Sequence, residues 1–162
     1  MKQIFLQYAA YNLWANKILS EKAAQLSDDI LYKDMGSSFG SIYSTFVHIM
    51  DVESVWWQRL KLQEHMLWPE KNLKENFKDL SIKLLAQSKQ WHENIADANE
   101  NYFSHEFAYH NSKKEFFKQP VYEMLLHLFN HQTYHRGQIV TLMRQNGVNK
   151  IPATDFIVFS RK

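Results

Sequence analysis

Three histidines on one stretch of the chain have the spacing of a metal-binding helix face. His127, His131 and His135 lie four residues apart in the run Leu-His-Leu-Phe-Asn-His-Gln-Thr-Tyr-His-Arg-Gly-Gln-Ile. Residues four apart on a helix are neighbours, so two such imidazoles can chelate one divalent ion. Neutral imidazole suits zinc, copper, nickel and iron. By chance, such a triplet is expected only on the order of 0.01 times in a chain of this composition, so it requires an explanation.

Length and composition indicate one soluble, helical domain spanning residues 1–162. The chain has 162 residues, enough for a single buried core but too few for two domains. Only 4 glycines and 3 prolines are present, which favours a few long helices over many short strands. The formal net charge is +2, with acidic and basic residues spread along the chain. This balance predicts no nucleic-acid partner.

The absence of cysteine excludes disulfides, thiolate ligands and a cysteine nucleophile. Gln3, Gln7 and Asn12 interrupt the first turns, which is unlike a secretory signal. No window approaches the roughly 18 apolar residues of a membrane span. We therefore expect a cytoplasmic protein with no membrane association.

The spacing of apolar residues predicts four long helices. These are residues 2–26, a second helix from a cap at Ser38 or Ser41 to Leu62, residues 73–98, and a last helix with Pro120 in its first position that Gly147 stops after Asn146. Between them we expect a short turn at 28–33, a polar connection closed by Trp68-Pro69, and a β-hairpin within 101–119. The apolar tail 151–159 should pack back on the body. The prediction is an all-α four-helix bundle with a short hairpin before the last helix.

His48 lies beside the apolar stripe of the second helix, which a bundle packs against the fourth. Metal sites in bundles are built from side chains on facing helices, so His48 is the natural third ligand to a pair on helix four. Three imidazoles leave at least one coordination position open, as in catalytic zinc sites. The alternative is that all three are ordinary polar residues, hydrogen-bonded in the core or facing solvent.

Two motifs resemble those of the DinB (damage-inducible) family. One is His48-Ile-Met-Asp-Val-Glu53-Ser-Val-Trp56, and the other is the late histidine run ending in His-Arg-Gly-Gln. The closing Thr154-Asp155-Phe-Ile157 is also similar to the ending of that family. The resemblance covers nearly the whole chain. It implies an up-down-down-up four-helix bundle, commonly a homodimer, and metal ligands at His48, His131 and His135.

The resemblance also implies a function. Relatives bind zinc, nickel and other divalent ions, and some transfer a low-molecular-weight thiol to an electrophile. We therefore expect a metal-dependent transferase or hydrolase that acts on a small molecule, with thiol S-transfer as the reaction that the resemblance implies. The alternative is a non-catalytic metal-binding stress protein whose ion is structural. DNA binding is disfavoured because the chain lacks a basic stripe.

The residues around these ligands carry further expectations. Residues four apart are offset by about 40° around a helix, so His127 does not point in the same direction as His131. We therefore assign His127 to a supporting hydrogen bond rather than to direct ligation. Gln138 could orient a ligand or a water, and Arg136 is expected in a salt bridge. Gly137 costs about 1 kcal/mol within a helix, which suggests close approach of another helix. Asp51 could orient an imidazole or lie on a solvated face.

Glu53, like Asp51, could orient an imidazole or lie on a solvated face. It is also a candidate acid or base. No His-Glu-x-x-His motif is present, so proton transfer would come from Glu53, Tyr134 or a metal-bound water. Trp56-Trp57 is expected in the core and at a dimer contact. His105, His110 and the Lys113-Lys114 tip are expected to be exposed, whereas His65 and His92 have no assigned role.

Overall fold

The computed structural model describes residues 1–62 and 76–161. Most of this part of the chain is helical, with one two-stranded antiparallel sheet. The elements are α1 (Lys2–Ala23), α2 (Asp28–Leu31), α3 (Ile42–Leu60), α4 (Phe77–Asp97), α5 (Glu100–Ser104), β1 (Glu106–His110), β2 (Phe116–Pro120), α6 (Val121–Gln145) and α7 (Phe156–Ser160).

Local capping explains where the long helices begin and end. Ser41, one of the two predicted caps, accepts a hydrogen bond from the Ser44 backbone N–H, which satisfies a free donor of the first turn of α3. Asn76 does the same for α4 by accepting from the Asp79 backbone N–H. Beyond α6, Gly147 has a φ of +78°, a conformation that favours glycine and ends the helix.

The hairpin is shorter than predicted. Residues 100–104 form helix α5, capped by Asn99, and only Glu106–His110 and Phe116–Pro120 pair as strands. The local side-chain cap accounts for the helical turn that aromatic content alone did not predict. Pro120 ends β2 and is the N-cap of α6 rather than its first residue. The predicted Trp68-Pro69 connection and His65 lie outside the described residues.

The four long helices pack in a closed ring. Helix α1 contacts α4 and α6, and α3 contacts the same two helices. The hairpin packs on α3 and α6, and the predicted return of the tail is confirmed by α7, whose Phe156 ring lies 5.3 Å from that of Tyr8. The up-down-down-up order of the predicted bundle remains a prediction. None of the described helices is long and apolar enough to span a membrane.

The buried interior divides into two apolar clusters with a polar layer between them. One cluster includes Leu19, Ile42 and Leu142, and the other includes Phe5, Trp91 and Leu125. Every long helix places buried polar side chains between these apolar segments. They are Asn12 and Asn16 on α1, Asp51 and Glu53 on α3, Ser88 on α4, and Gln132, His135 and Arg136 on α6. This polar layer positions the site described next.

Candidate metal centre

Three imidazoles from α3 and α6 converge on one point. The Nε2 atom of His131 lies 3.1 Å from Nε2 of His48 and 3.0 Å from Nε2 of His135. One ligand atom from each ring lies within 4.8 Å of the others. His131 and His135 meet because they are four apart on α6. His48 joins them because α3 packs against α6.

Gln138 determines which nitrogen of His135 faces this point. The His135 Nδ1 atom lies 2.7 Å from the Gln138 side-chain oxygen, three residues on along the same helix. An amide oxygen only accepts, so Nδ1 carries the proton and donates it. The Nε2 atom of His135 therefore presents a lone pair to the other two rings. This contact orients the His135 ring.

The three rings are held in their neutral form. Burial, with the charge of His135 as a smaller cause, lowers the pKa of His48 from 6.5 to about 4. Burial and the neighbouring histidines lower the pKa of His131 to about 3. The pKa of His135 is lowered by burial too, partly offset by its bond to Gln138. At neutral pH all three imidazoles are thus uncharged, which is the form that binds metals.

The nitrogen atoms have the spacing that one divalent ion requires. With Zn–N bonds of about 2.1 Å, two nitrogens lie about 3.0 Å apart at a right angle and about 3.4 Å apart at the tetrahedral angle. The observed 3.0 and 3.1 Å separations match the smaller value. Each neutral ring can turn one lone-pair nitrogen towards the shared point, and these atoms lie within 4.8 Å of one another. The chemistry and spacing of these residues therefore fit a metal ion.

Aromatic rings and a backbone contact hold the histidines in place. The ring of Phe39, in the loop before α3, stacks on His48 at a centroid distance of 3.9 Å. Phe39 also meets His135 edge-on at 5.4 Å, and the exposed Tyr134 ring lies 4.9 Å from His135. Nearby, the buried Gln132 amide donates to the Ile49 carbonyl at 3.0 Å and so fixes α6 against α3 beside His48.

Arg136 and Glu53 both lie inside the polar layer. The salt bridge predicted for Arg136 is wrong, whereas the role of Glu53 as an acid or base stays a prediction. Arg136 donates through Nη1 to the side-chain oxygens of Asn12 and Asn16 at 2.6 and 2.9 Å. The same two amides donate to Glu53 Oε1 at 2.7 and 3.2 Å. Two asparagines thus join a buried cation to a buried carboxyl, and no ion pair of Arg136 is present within residues 1–62 and 76–161.

Ser88 completes this network from α4. Its hydroxyl lies 3.0 and 2.9 Å from the two Glu53 carboxyl oxygens. Burial raises the pKa of Glu53 from 4.5 to about 7, although the donors and the Arg136 charge act in the opposite direction. The described partners of Glu53 are therefore network residues rather than an imidazole. Asp51 is also buried, so the solvated face considered for both residues is excluded.

Sequence similarity gives the family. A model of the DinB family matches residues 1–161. The chain belongs to the DinB family. It is similar to Protein DinB of Bacillus subtilis strain 168, with 27% identity over 163 residues, covering 90% of this chain and 87% of that protein.

Two solved structures have the same fold. A DinB-like protein from Bacillus cereus ATCC 10987 matches with a TM-score of 0.70 at 20% identity, covering 92% of this chain and 94% of that one. A DinB-like protein from Bacillus subtilis matches with a TM-score of 0.64 at 17% identity, covering 92% of this chain and 98% of that one. The sequence-based resemblance to the DinB family is thereby confirmed.

The remaining predictions for this DinB-family chain have mixed outcomes. Gly137 is exposed, and a Cβ built on it would meet no atom within 4 Å among the described residues, so the predicted close approach of a helix is wrong. His127 contacts the Trp56 ring at 5.3 Å and the His131 ring at 5.8 Å. Trp57 packs against the buried Trp91. The exposure predicted for His105, His110 and the lysine tip is confirmed.

Sequence reasoning missed the asparagines, Ser88 and Phe39. The signal for the first set was available, because Asn12, Asn16 and Ser88 occupy helical positions between apolar residues that are buried. A short polar residue repeated at such positions on several helices indicates a buried network. Phe39 lies in a loop, and no periodic pattern predicts where a loop side chain points.

Proposed function

We propose that this DinB-family protein binds a divalent metal ion through His48, His131 and His135, with zinc or nickel as the ion. The observation that supports this most directly is the convergence of three Nε2 atoms at 3.0 and 3.1 Å with no charged ring among them. Family membership supports the same conclusion. His127 supports the site by packing between His131 and Trp56 rather than by ligation.

The proposal also covers the domain, the order of its helices and its assembly. We propose a single domain over residues 1–162 that forms an up-down-down-up four-helix bundle, supported by the ring of contacts among α1, α3, α4 and α6. A cytoplasmic homodimer is part of this proposal, on the basis of the family resemblance and the lack of cysteine. No nucleic-acid partner is expected from the near-neutral charge.

The reaction we propose is transfer of a low-molecular-weight thiol to an electrophile. A divalent ion in this site would lower the pKa of a thiol that reaches the open position and so provide a nucleophile near neutral pH. The sulfur would then form the new S–C bond as the leaving group departs, and the thiol proton would pass to solvent. The hydrogen bond to Gln138 orients the His135 ring for binding the ion, and the exposed Tyr134 is placed to pass the thiol proton on to solvent.

One experiment tests both parts of this proposal. Protein purified without a His tag should carry about one equivalent of metal by elemental analysis, and His131→Ala should carry none, because His131 contacts both other ligands. The metal-loaded wild type should consume free thiol in the presence of a reactive electrophile. His110→Ala, which changes an exposed histidine of the hairpin, is the matched control and should behave as wild type.

Two outcomes would contradict the proposal separately. Equal metal content in the wild type and His131→Ala would refute the ligand assignment. Thiol transfer that survives complete removal of the ion would refute the metal-dependent reaction while leaving the site intact.

The second candidate is a non-catalytic stress protein with a structural ion. The observation that favours it is that the ligands come from two different helices, so an ion would link α3 to α6 and stabilise the fold by binding only the native state. A structural site predicts no affinity for small thiols or anions at the ion. A catalytic site predicts such binding at the open coordination position.

A further inference from the structure

A cation supported by two aromatic rings lies near the histidine cluster. The guanidinium carbon of Arg59, in the last turn of α3, is 4.7 Å from the centroid of the Trp56 ring and 5.4 Å from that of Tyr109 on β1. The two rings meet edge-on at 5.1 Å. Cation–π contact of this kind holds a guanidinium in one orientation while leaving its charge uncompensated.

No carboxylate pairs with Arg59 among residues 1–62 and 76–161. The ion pairs of that part of the chain involve lysines or the N-terminus instead. The Arg59 Nε atom is buried and has no hydrogen-bond partner there. An unsatisfied buried donor on a charged group is costly, so this position favours an incoming anionic oxygen.

Ring contacts connect this cation to the metal centre. The Trp56 ring meets the His127 ring at 5.3 Å, and His127 meets His131 at 5.8 Å. His127 lies one helical turn, about 6 Å along the axis, from His131. A small molecule that reaches the open metal position can therefore extend over His127 towards Arg59.

We propose that Arg59 is a specificity-determining residue that binds the carboxylate of the substrate, with Trp56 and Tyr109 holding its guanidinium in place. The proposal rests on the metal-dependent thiol chemistry proposed above and narrows its substrate class to small thiols that carry a carboxylate. A guanidinium fork matches the two oxygens of a carboxylate, and such charged hydrogen bonds are stronger than neutral ones. His127 provides part of the surface between the open metal position and Arg59.

The test compares two thiols that differ only in charge. Zinc-loaded wild type is titrated calorimetrically with 6-mercaptohexanoate and with its methyl ester, and the acid should bind at least about tenfold more tightly. Arg59→Gln should bind both with the affinity that the wild type has for the ester. Lys61→Gln is the matched control, because Lys61 also lies over a tryptophan, 4.7 Å from the Trp57 ring, and it should keep the preference for the acid.

A second readout separates this inference from the function on which it rests. In metal-free protein, hexanoate should shift the NMR signal of the Trp56 indole N–H in the wild type and in Lys61→Gln, but not in Arg59→Gln. If the protein binds no metal, the proposed function fails and this titration alone decides the role of Arg59.

Two results would overturn the role of Arg59. The first is that the wild type binds the acid and the ester with equal affinity and shows no hexanoate-dependent NMR shift. The second is that Lys61→Gln loses the preference for the acid as fully as Arg59→Gln does. Circular dichroism checks that Arg59→Gln is folded. Arg59→Lys, which keeps the charge but not the planar fork, should show a reduced preference for the acid and decides the question if the glutamine variant unfolds.

Discussion

The proposed role of Gln138 at the candidate metal centre depends on the position of one proton of His135. Its side-chain oxygen fixes the proton of His135 on Nδ1, so Nε2 is free to bind an ion. Hydrogen bonds of this kind to ligating histidines orient the ring and raise its basicity. His131 differs, because its Nδ1 atom is buried and has no partner in the described part of the chain. The affinity of the site should therefore be sensitive to the one such contact that His135 has.

Gln138→Leu should weaken metal binding roughly 10- to 100-fold, because it removes the acceptor and keeps the side-chain size. Competition of zinc-loaded protein against a chelating dye measures the change. Gln138→Glu should bind as tightly as the wild type, since a carboxylate accepts the same proton. Gln145→Leu, an exposed glutamine on the same helix, is the control. Unchanged affinity in Gln138→Leu would show that His135 needs no such support.

Helical spacing predicted the part of the site that lies within one helix. His131, His135 and Gln138 are three and four residues apart, so their proximity follows from α6 alone. The position of Glu53 could not be predicted in this way. Its surroundings come from α1, α4 and α6, and one-helix patterns do not report which helices pack together.

The long helices were predicted because their apolar residues repeat every three or four positions. Their ends were set by side chains such as Asn76 and Asn99, whose capping role depends on local hydrogen bonds. Along each of the four, the apolar repeat is interrupted at one level by polar side chains. The interruption looks like a defect in any single helix. In the packed protein it is a continuous network that joins Arg136, Asn12, Asn16, Glu53 and Ser88.

This network should make stability depend on pH through Glu53. Burial raises its pKa to about 7 in the folded protein, above the ordinary 4.5. The folded state then holds a proton that the unfolded state has lost, so the contribution of Glu53 is fully present below pH 4.5 and is lost as pH rises through about 7. The groups that face it are Arg136 from α6, the two asparagines from α1 and Ser88 from α4.

Glu53→Gln removes this titration and tests it. The free energy of unfolding of the wild type minus that of the variant should fall by up to about 3 kcal/mol between pH 4.5 and 7. Urea unfolding of metal-free protein at several pH values measures it. His48, His131 and His135 are present in both proteins, so their contribution to the pH dependence cancels. Glu21→Gln, which changes an exposed carboxylate on α1, is the control, and a difference that does not vary with pH would contradict the assignment.

The candidate metal centre brings together segments that are far apart in the chain. His48 precedes His131 by 83 residues, and α3 and α6 are neighbours in the ring of four helices. Bundle packing predicted that these two helices are adjacent, and the resemblance to the DinB family implied the same pairing. An ion bound by residues of both helices would resist their separation, so metal binding should affect stability.

At pH 7.5, where all three imidazoles are neutral, the metal-loaded protein should melt above the chelated protein. An ion at 100 times its dissociation constant stabilises by about 2.7 kcal/mol, or roughly 5–10 °C for a domain of this size. His48→Ala removes the single ligand from α3 and should lose most of that gain in differential scanning calorimetry. His92→Ala, on α4, is the control and should keep it.

An undiminished gain in His48→Ala would mean that the ion binds α6 alone, and the link between the helices would not exist. A much larger gain in the wild type, together with no thiol binding, would favour the structural ion over the catalytic one.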